Sequence, residues 1–404
     1  GPVHVQKGPC TEPLHETFLR AGEQAGYPFS DDINGAQQEG FAAFQKNVDR
    51  GVRASTAQAY IRPAAGRANL TVKTGALAHK ILIEGNRASG VVYGSVDGQD
   101  QALARREVIL SGGAINSPQL LLLSGIGPAT DLEALGIEVR VDLPGVGQNL
   151  QDHPLVYMKY VVDKPVSMSR YMRPDLMLYA GARWLSNHSG PGTSHITETC
   201  ALLRSDPSVS HPDVEIQFLP VVIDHDHGVK PSLHGFTYCI GPTRVEGAGW
   251  VKLRSANPAE PPRILANLLS TDRDLANMRR SVEIGREIAS QSAHDWLGLK
   301  EIDPGPARQT KAEMDDYLRA NVAGDFHLTG TCRMGYDRLA VTDPQLKVHG
   351  IEGLRVVDAS VMPSIVSANT NATTIMIGEK AADMILGRRA LPAAVLDQPV
   401  RQAS

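Results

Sequence analysis

The stretch Asp325-Phe326-His327-Leu328-Thr329-Gly330-Thr331-Cys332-Arg333-Met334-Gly335 sets one imidazole among small, polar and sulfur-bearing residues. It holds too few large apolar side chains to build a core, and its glycines mark places where the backbone turns or approaches something closely. Such a stretch suits the lining of a site. Within it His327 has the ordinary pKa best placed for taking a proton near neutral pH. Further on, "VVDAS" ends an apolar run at Asp358, and "NTNATTIMIGEKAADMI" opens a helical pattern near Asn371. A carboxylate at a strand end beside the positive N-terminus of a helix is a place that can hold a diphosphate, a ribitol or a flavin ring. The chemistry these residue types can do is acid-base work by the imidazole beside a place for an anionic or flavin group.

Metal chemistry has weaker support. "HDH" at His225 and His227 could mimic a ligand pair, but no further ligands at familiar spacing accompany it, so no metal is expected. The four cysteines, Cys10, Cys200, Cys239 and Cys332, form no CxxC pair. Their sparse use speaks against structural zinc and is compatible with a reducing, cytoplasmic compartment.

The elements that must position these groups can be read from pattern. "EPLHETFLRAGEQAGY" places Leu14, Phe18, Ala21 and Ala25 at helical spacing and stops at Gly26. "NLTVKTGALAHKILIEGNRASGVVYG" predicts a meander of short strands. "REVILSGGAINSPQLLLLSGIGP" predicts a strand over Glu107 to Leu110, a break at Gly112 and Gly113, and a helix capped near Asn116 or Ser117 with Pro118 in its first turn. From about 150 to 320 the strand-like "DVEIQFLP", "GFTYCIGPTR" and "WVKLRS" are followed by helical "DRDLANMRRSVEIGREIASQ" and "KAEMDDYLRANV", which predicts an antiparallel sheet backed by helices. After it, "LRVVDASVMPS" is a strand leaving a sheet at Asp358, and the next helix carries Ile377, Ala381, Met384 and Ile385 on one face.

At 404 residues the chain exceeds what one core usually serves, so two domains built from interleaved segments are expected. A net charge of -4 with scattered basic residues offers no field for nucleic acid. No apolar run has the length to cross a bilayer. The opening "GPVHVQKGPC" has neither an initiator Met nor a signal-like apolar region and reads as the middle of a reading frame, so an N-terminal truncation is expected.

Taken in order, "GPVHV", "NGAQQEGF", "RASTAQAYIRPA", "GGAINSPQLLLLSGIGP", "LPGVGQNLQDHP", "HGFTYCIGPTR", "FHLTGTCRMG", "LRVVDASVMPSI" and "NTNATTIMIGEKAADMI" are similar to motifs of the glucose-methanol-choline (GMC) oxidoreductases. Within that family the chain resembles the choline dehydrogenases. The resemblance implies an α/β FAD-binding (dinucleotide-binding) domain, incomplete here, interleaved with an α+β substrate domain of antiparallel sheet and helices. On that reading residues 1–60 and 149–324 belong to the substrate domain, 61–148 and 325–390 to the FAD-binding domain, and 391–404 form a tail. The glycine-rich dinucleotide fingerprint is missing: "GIGPAT" and "GVGQNL" carry only a partial G-x-G, and neither opens a strand-helix-strand unit.

The resemblance also implies roles. His327 would take the proton of the substrate hydroxyl, Asn371 would bind the same oxygen, and hydride would pass to the flavin. Ala78, Asp358, Ala359, Asn371, Ala372 and Thr373 would contact FAD. Glu198, in "TSHITETCALLRS", and Phe326 would meet a substrate cation such as choline. The partner is a small-molecule alcohol, with the electron acceptor and oligomeric state left open and docking to a membrane surface allowed. His327-Leu328 stands where relatives carry His-Pro. An oxidase using oxygen, a flavin-bearing lyase of the same fold, and an inactive remnant or subunit needing a partner chain are the competing readings.

Overall fold

The computed structural model describes residues 1–95, 98–224, 228–230 and 232–392. The chain divides into two compact units of interleaved segments, 1–72 with 154–243 and 272–323, and 73–153 with 244–271 and 324–404. The mixture of helices and antiparallel sheet agrees with the expected fold class.

In the first unit the principal sheet runs in the order Gly40–Ala43, Thr199–Leu203, Val214–Leu219, Gly235–Pro242, Pro154–Val161, Lys300–Asp303. Every neighbouring pair in that order is antiparallel. All residues of Thr199–Leu203 and Gly235–Pro242 are buried, so these central strands are covered on both faces. The Pro13–Gln24 helix opens on a proline, whose missing N–H costs nothing in a first turn, and it buries Leu14, Phe18 and Ala21. Phe18 stacks on Phe218 at 4.7 Å between ring centroids, and Phe218, Phe236 and Tyr238 continue the aromatic layer. The Lys311–Asn321 helix starts on a capping box: Thr310 accepts from the Glu313 N–H, and the Glu313 carboxylate accepts from the Thr310 N–H.

The second unit contains the expected meander, Leu77–Glu84, Arg87–Ser95 and Gly98–Leu103, with neighbours antiparallel. Val108–Leu110 pairs in parallel with Leu354–Val356. Its core gathers Ile81, Leu121, Ile126, Val146, Leu354 and Val356. The helix after the Gly-Gly break runs Gly113–Leu123, so it begins before the expected cap at Asn116 or Ser117, and Pro118 lies inside it. Two tertiary contacts explain this early start. Gly113 has φ +75°, which glycine takes without penalty, and its N–H donates to Asp358 Oδ2 at 2.9 Å. Pro118 leaves the Ala114 carbonyl without its usual helical donor, and the Thr331 hydroxyl supplies one at 2.6 Å.

Candidate active site

The segment Asn149 to His153, from "NLQDHP", carries the site. The 325–331 stretch is pinned along it: Asp325 N–H donates to the His153 carbonyl at 2.9 Å, His327 N–H to Asp152 Oδ1 at 2.8 Å, and Thr329 N–H to the Gln151 carbonyl at 3.0 Å. The loop leading into the Thr370–Ile385 helix is pinned to the same segment. Ile365 N–H donates to Gln151 Oε1 at 3.0 Å, and Asn149 Nδ2 donates to the Pro363 carbonyl at 3.2 Å. Five consecutive residues therefore hold two distant loops together. Gly330 is required where the first loop crosses Asn149: its φ is +89°, and a Cβ there would lie 2.3 Å from the Asn149 carbonyl oxygen.

His327 projects from this frame with 12% of its side chain exposed. Its Nε2 lies 3.1 Å from the Asn369 amide nitrogen, and its Nδ1 lies 3.0 Å from His153 Nδ1 and 3.3 Å from Asp325 Oδ2. Burial, with a smaller contribution from His153, pushes the imidazole down to about 4. At neutral pH it is therefore uncharged and able to accept a proton. Asp152, which holds the His327 backbone, is 5% exposed, and burial pushes its carboxyl up to about 6.

The amide that lies 3.1 Å from the imidazole is that of Asn369. The helix begins at Thr370 with Asn369 as its N-cap, and Asn371, Ala372 and Thr373 follow in its first turn, the first two exposed and Thr373 half-buried. Phe326 is 83% exposed, with φ +58°. Leu328 packs on the small cluster of Ala114, Leu150 and Val251, which gives the residue after His327 a packing role that proline is not needed to fill.

Asp358 is buried, and both its carboxylate oxygens are occupied from within the chain. Oδ2 accepts from the Gly113 N–H and from the Ser117 hydroxyl at 2.5 Å, and Oδ1 accepts from the N–H and hydroxyl of Ser360. Its side chain thus clamps the N-terminus of the Gly113–Leu123 helix to the strand end. Ala359 is half-buried, and its carbonyl accepts from the Gly330 N–H at 3.4 Å.

Glu198 lies in the first unit, 2% exposed, with its carboxylate 3.5 Å from Lys46 Nζ and 3.0 Å from the Cys10 N–H. Its charge is balanced there by a lysine of the same chain. His225 and His227 lie outside the described residues. Among the described residues no group of three or more His, Cys, Asp or Glu could hold a metal ion, and no helix is long and apolar enough to cross a membrane.

FAD, the cofactor the resemblance implies, needs a slot for its ring systems and a positively polarised place for its anionic parts. Ala78 lines a cavity of about 350 Å³ with Leu77, Leu110, Gly112, Asn116 and Ser117, a lining of mixed apolar and polar residues. The first turn of the Thr370–Ile385 helix carries no acid, and Asn369 does not cap it with its side chain, so neither offsets the positive end of the helix. Both features fit the group.

Sequence reasoning passed over His153, Asp152 and Asn369. The motif "NLQDHP" was in view for all but the last, but a histidine facing another histidine across 174 positions has no local signature.

Comparisons with known proteins agree with the framework. Residues 1–155 and 246–378 each match a family model described as GMC oxidoreductase. The mitochondrial choline dehydrogenase of Mus musculus is 47% identical over 394 residues, which cover 97% of this chain and 66% of that protein. The oxygen-dependent choline dehydrogenase of Sinorhizobium fredii is 44% identical over 393 residues, covering 97% and 71%. Among solved structures, pyridoxine 4-oxidase from Mesorbium loti superposes with a TM-score of 0.85 at 28% identity, over 96% of this chain and 73% of that one. The chain spans 66% of the length of the mouse relative, just under two thirds. With two matching family models and 44% identity across 71% of a relative, this chain belongs to the GMC oxidoreductase family.

Proposed function

We propose that the protein to which this chain belongs oxidises an alcohol to the aldehyde or ketone with FAD as the hydride acceptor, choline being the first substrate to try. The observation that carries the reading is an uncharged, mostly buried His327 whose Nε2 faces the Asn369 amide at 3.1 Å, within a GMC framework. A hydroxyl that enters beside these two groups and replaces their direct contact would give its proton to Nε2 and accept a hydrogen bond from the amide as negative charge grows on its oxygen. FAD, when bound, supplies the electron sink that takes the hydride from the carbinol carbon. The cavity beside Ala78 and the N-terminal turn at Asn371, Ala372 and Thr373 are the places we assign to it. Choline rests on the relatives' names, because Glu198 is already paired with Lys46 and Phe326 points to solvent.

The test is anaerobic addition of a panel of alcohols, choline included, to the full-length flavin-loaded protein. Bleaching of the flavin absorbance by at least one alcohol is expected, and no bleaching by any of them sinks the reading. We place the protein in the cytoplasm, with contact to a membrane surface allowed. Supporting a reducing compartment, none of the four cysteines is in a disulfide; cell fractionation decides it.

A further inference from the structure

We infer that the second unit carries a binding site for a small amphipathic carboxylate, a molecule with a short apolar body and one anionic head. The site is a cavity that shares no lining residue with the one assigned to FAD. It has a volume of about 210 Å³ and is walled by Leu122, Leu132, Leu135, Val146, Val251 and Leu253. All of these but Leu135 are buried. Aliphatic side chains offer water no hydrogen-bond partners, so this wall favours apolar surface over solvent. At roughly 30 Å³ for each water of the liquid, the space holds about seven waters, which suits a short acyl chain and is below the size of most drug-sized ligand pockets.

The anionic head is read from the charged residues of the lining. Gln148–Leu150, Gly249–Lys252 and Arg263–Leu265 form a three-stranded antiparallel sheet. In its register Lys252 lies directly opposite Arg263, and both residues line the cavity. Like charges at directly opposed positions of a sheet repel. One carboxylate serves the two: Asp131 Oδ2 lies 2.9 Å from Lys252 Nζ. Arg263 makes no hydrogen bond or ion pair among the described residues. Its guanidinium lies over the Trp250 ring, 5.5 Å from the centroid, and Lys252 Nζ lies over the same ring at 5.5 Å. Asp131, Lys252 and Arg263 are the charged residues of the lining, so one positive charge is left at an otherwise largely apolar cavity.

A carboxylate matches that charge. A guanidinium holds it through two parallel N–H donors, and the site becomes neutral overall. A phosphate dianion would instead leave a negative charge beside Asp131, and a cationic head would be repelled by Arg263. Gln148, also on the lining, adds an amide that can donate to the head. The wall is set before a ligand arrives: Val251 N–H donates to the Gly147 carbonyl at 2.7 Å, and Gly147 N–H donates to the Thr331 carbonyl at 2.9 Å. A preformed wall keeps the ordering cost of binding small.

The inference is tested by isothermal titration calorimetry of the full-length flavin-loaded protein with octanoate, and with octanamide as the same chain under a neutral head. One octanoate per chain is expected, with octanamide roughly 10- to 100-fold weaker, the range for a hydrogen bond to a charged group. Arg263→Gln should weaken octanoate by about that factor and leave octanamide unchanged. Ala134→Phe, which adds a ring at an exposed position of the lining, should block both ligands. Arg263 and Ala134 are both exposed, so the variants should keep the wild-type Tm, which thermal melts check. Octanoate that binds Ala134→Phe as it binds the wild type sits elsewhere and overturns the inference, as does an absence of octanoate binding. Equal affinities for octanoate and octanamide, or no loss in Arg263→Gln, overturn the anionic head. Phosphatidylglycerol vesicles that pellet the wild type and neither variant, with no octanoate bound, would give the cavity to a lipid chain and overturn the free carboxylate.

Discussion

The side-chain amide of Asn369 lies 3.1 Å from Nε2 of His327, while Asn371, in the same Asn-Thr-Asn run, is exposed in the first turn of the following helix. The first asparagine is therefore placed to donate to an oxygen that the imidazole deprotonates. Replacing His327 by alanine should slow flavin reduction by roughly 10²- to 10⁴-fold, the range for losing a general base. Asn369→Ala should cost roughly 10²- to 10³-fold, as for one donor to a developing oxyanion. Asn371→Ala should cost less than either. Stopped-flow reduction under anaerobic conditions measures all three, and a larger loss at Asn371 than at Asn369 would return the amide role to the second asparagine.

The pH dependence of that step follows from the state of the base. Burial, and then His153, hold the His327 imidazole down to about 4. It remains able to accept a proton until the pH falls through that value. Flavin reduction should therefore lose its rate on the acid side near pH 4, well below the ordinary histidine value of about 6.5. A midpoint at 6.5 in the free enzyme would show that the imidazole is more open to water than this structure has it.

How much was legible in the sequence depended on how local each signal was. The Pro13–Gln24 helix was read from the spacing of Leu14, Phe18 and Ala21, because its burial pattern repeats within its own residues. The meander after Leu77 was read from strand runs broken by turn residues. The start of the Gly113–Leu123 helix was misread because what fixes it lies elsewhere: Asp358 receives its first N–H, and Thr331 makes Pro118 tolerable inside it. His327 was found through the composition of its own stretch. His153 and Asn369 were not, since each acquires its meaning only when Gln151 and Asn149 bring two distant loops to one segment.

Gly330 offers a test of that loop arrangement by stability alone. Alanine there takes a left-handed φ and drives its Cβ to 2.3 Å from the Asn149 carbonyl oxygen, so backbone must move. At Gly113 the φ is also positive, +75°, but nothing lies within 4 Å of a built Cβ. Gly113→Ala should cost about 1 kcal/mol, the strain term only, while Gly330→Ala should cost about 2–4 kcal/mol. Urea unfolding of the two variants side by side gives the comparison, and equal losses would mean the 325–331 loop is not held against Asn149.

The buried pair of Glu198 and Lys46 separates a structural carboxylate from a substrate-binding one. Both side chains are nearly inaccessible, at 2% and 3% exposure. Removing one partner strands a charge in the interior, so Glu198→Ala should cost on the order of 3–5 kcal/mol, and the double change Glu198→Leu with Lys46→Met should recover most of it. If the carboxylate instead serves a substrate cation, Glu198→Gln will raise KM for choline many-fold with little change in Tm. Thermal melts and steady-state kinetics on the same preparations distinguish the two outcomes.

His294 sets the acid stability of the first unit. It is 3% exposed, and neither ring nitrogen has a hydrogen-bond partner among the described residues. Its ring packs on Phe236 at 5.6 Å. Burial pushes it down to about 4, and His15, fully buried, is pushed down to about 4 for the same reason. Above pH 6.5 these rings are neutral in both folded and unfolded chains. As pH falls from 6.5 toward 4 the unfolded chain takes up protons that the folded chain refuses, so stability falls across that window. Asp152 works in the opposite sense, because burial pushes its carboxyl up to about 6. Its contribution is present below the ordinary carboxylate range and fades as pH rises to 6. His195 and His327 are pushed down to about 4 as well, so the buried histidines outweigh one carboxyl and the protein should be less stable at pH 4.5 than at pH 7. His294→Phe should remove on the order of 2–3 kcal/mol from that difference. Urea midpoints measured from pH 4 to 7 decide it: a His294→Phe curve parallel to the wild type would show that this ring titrates alike in the folded and unfolded chains.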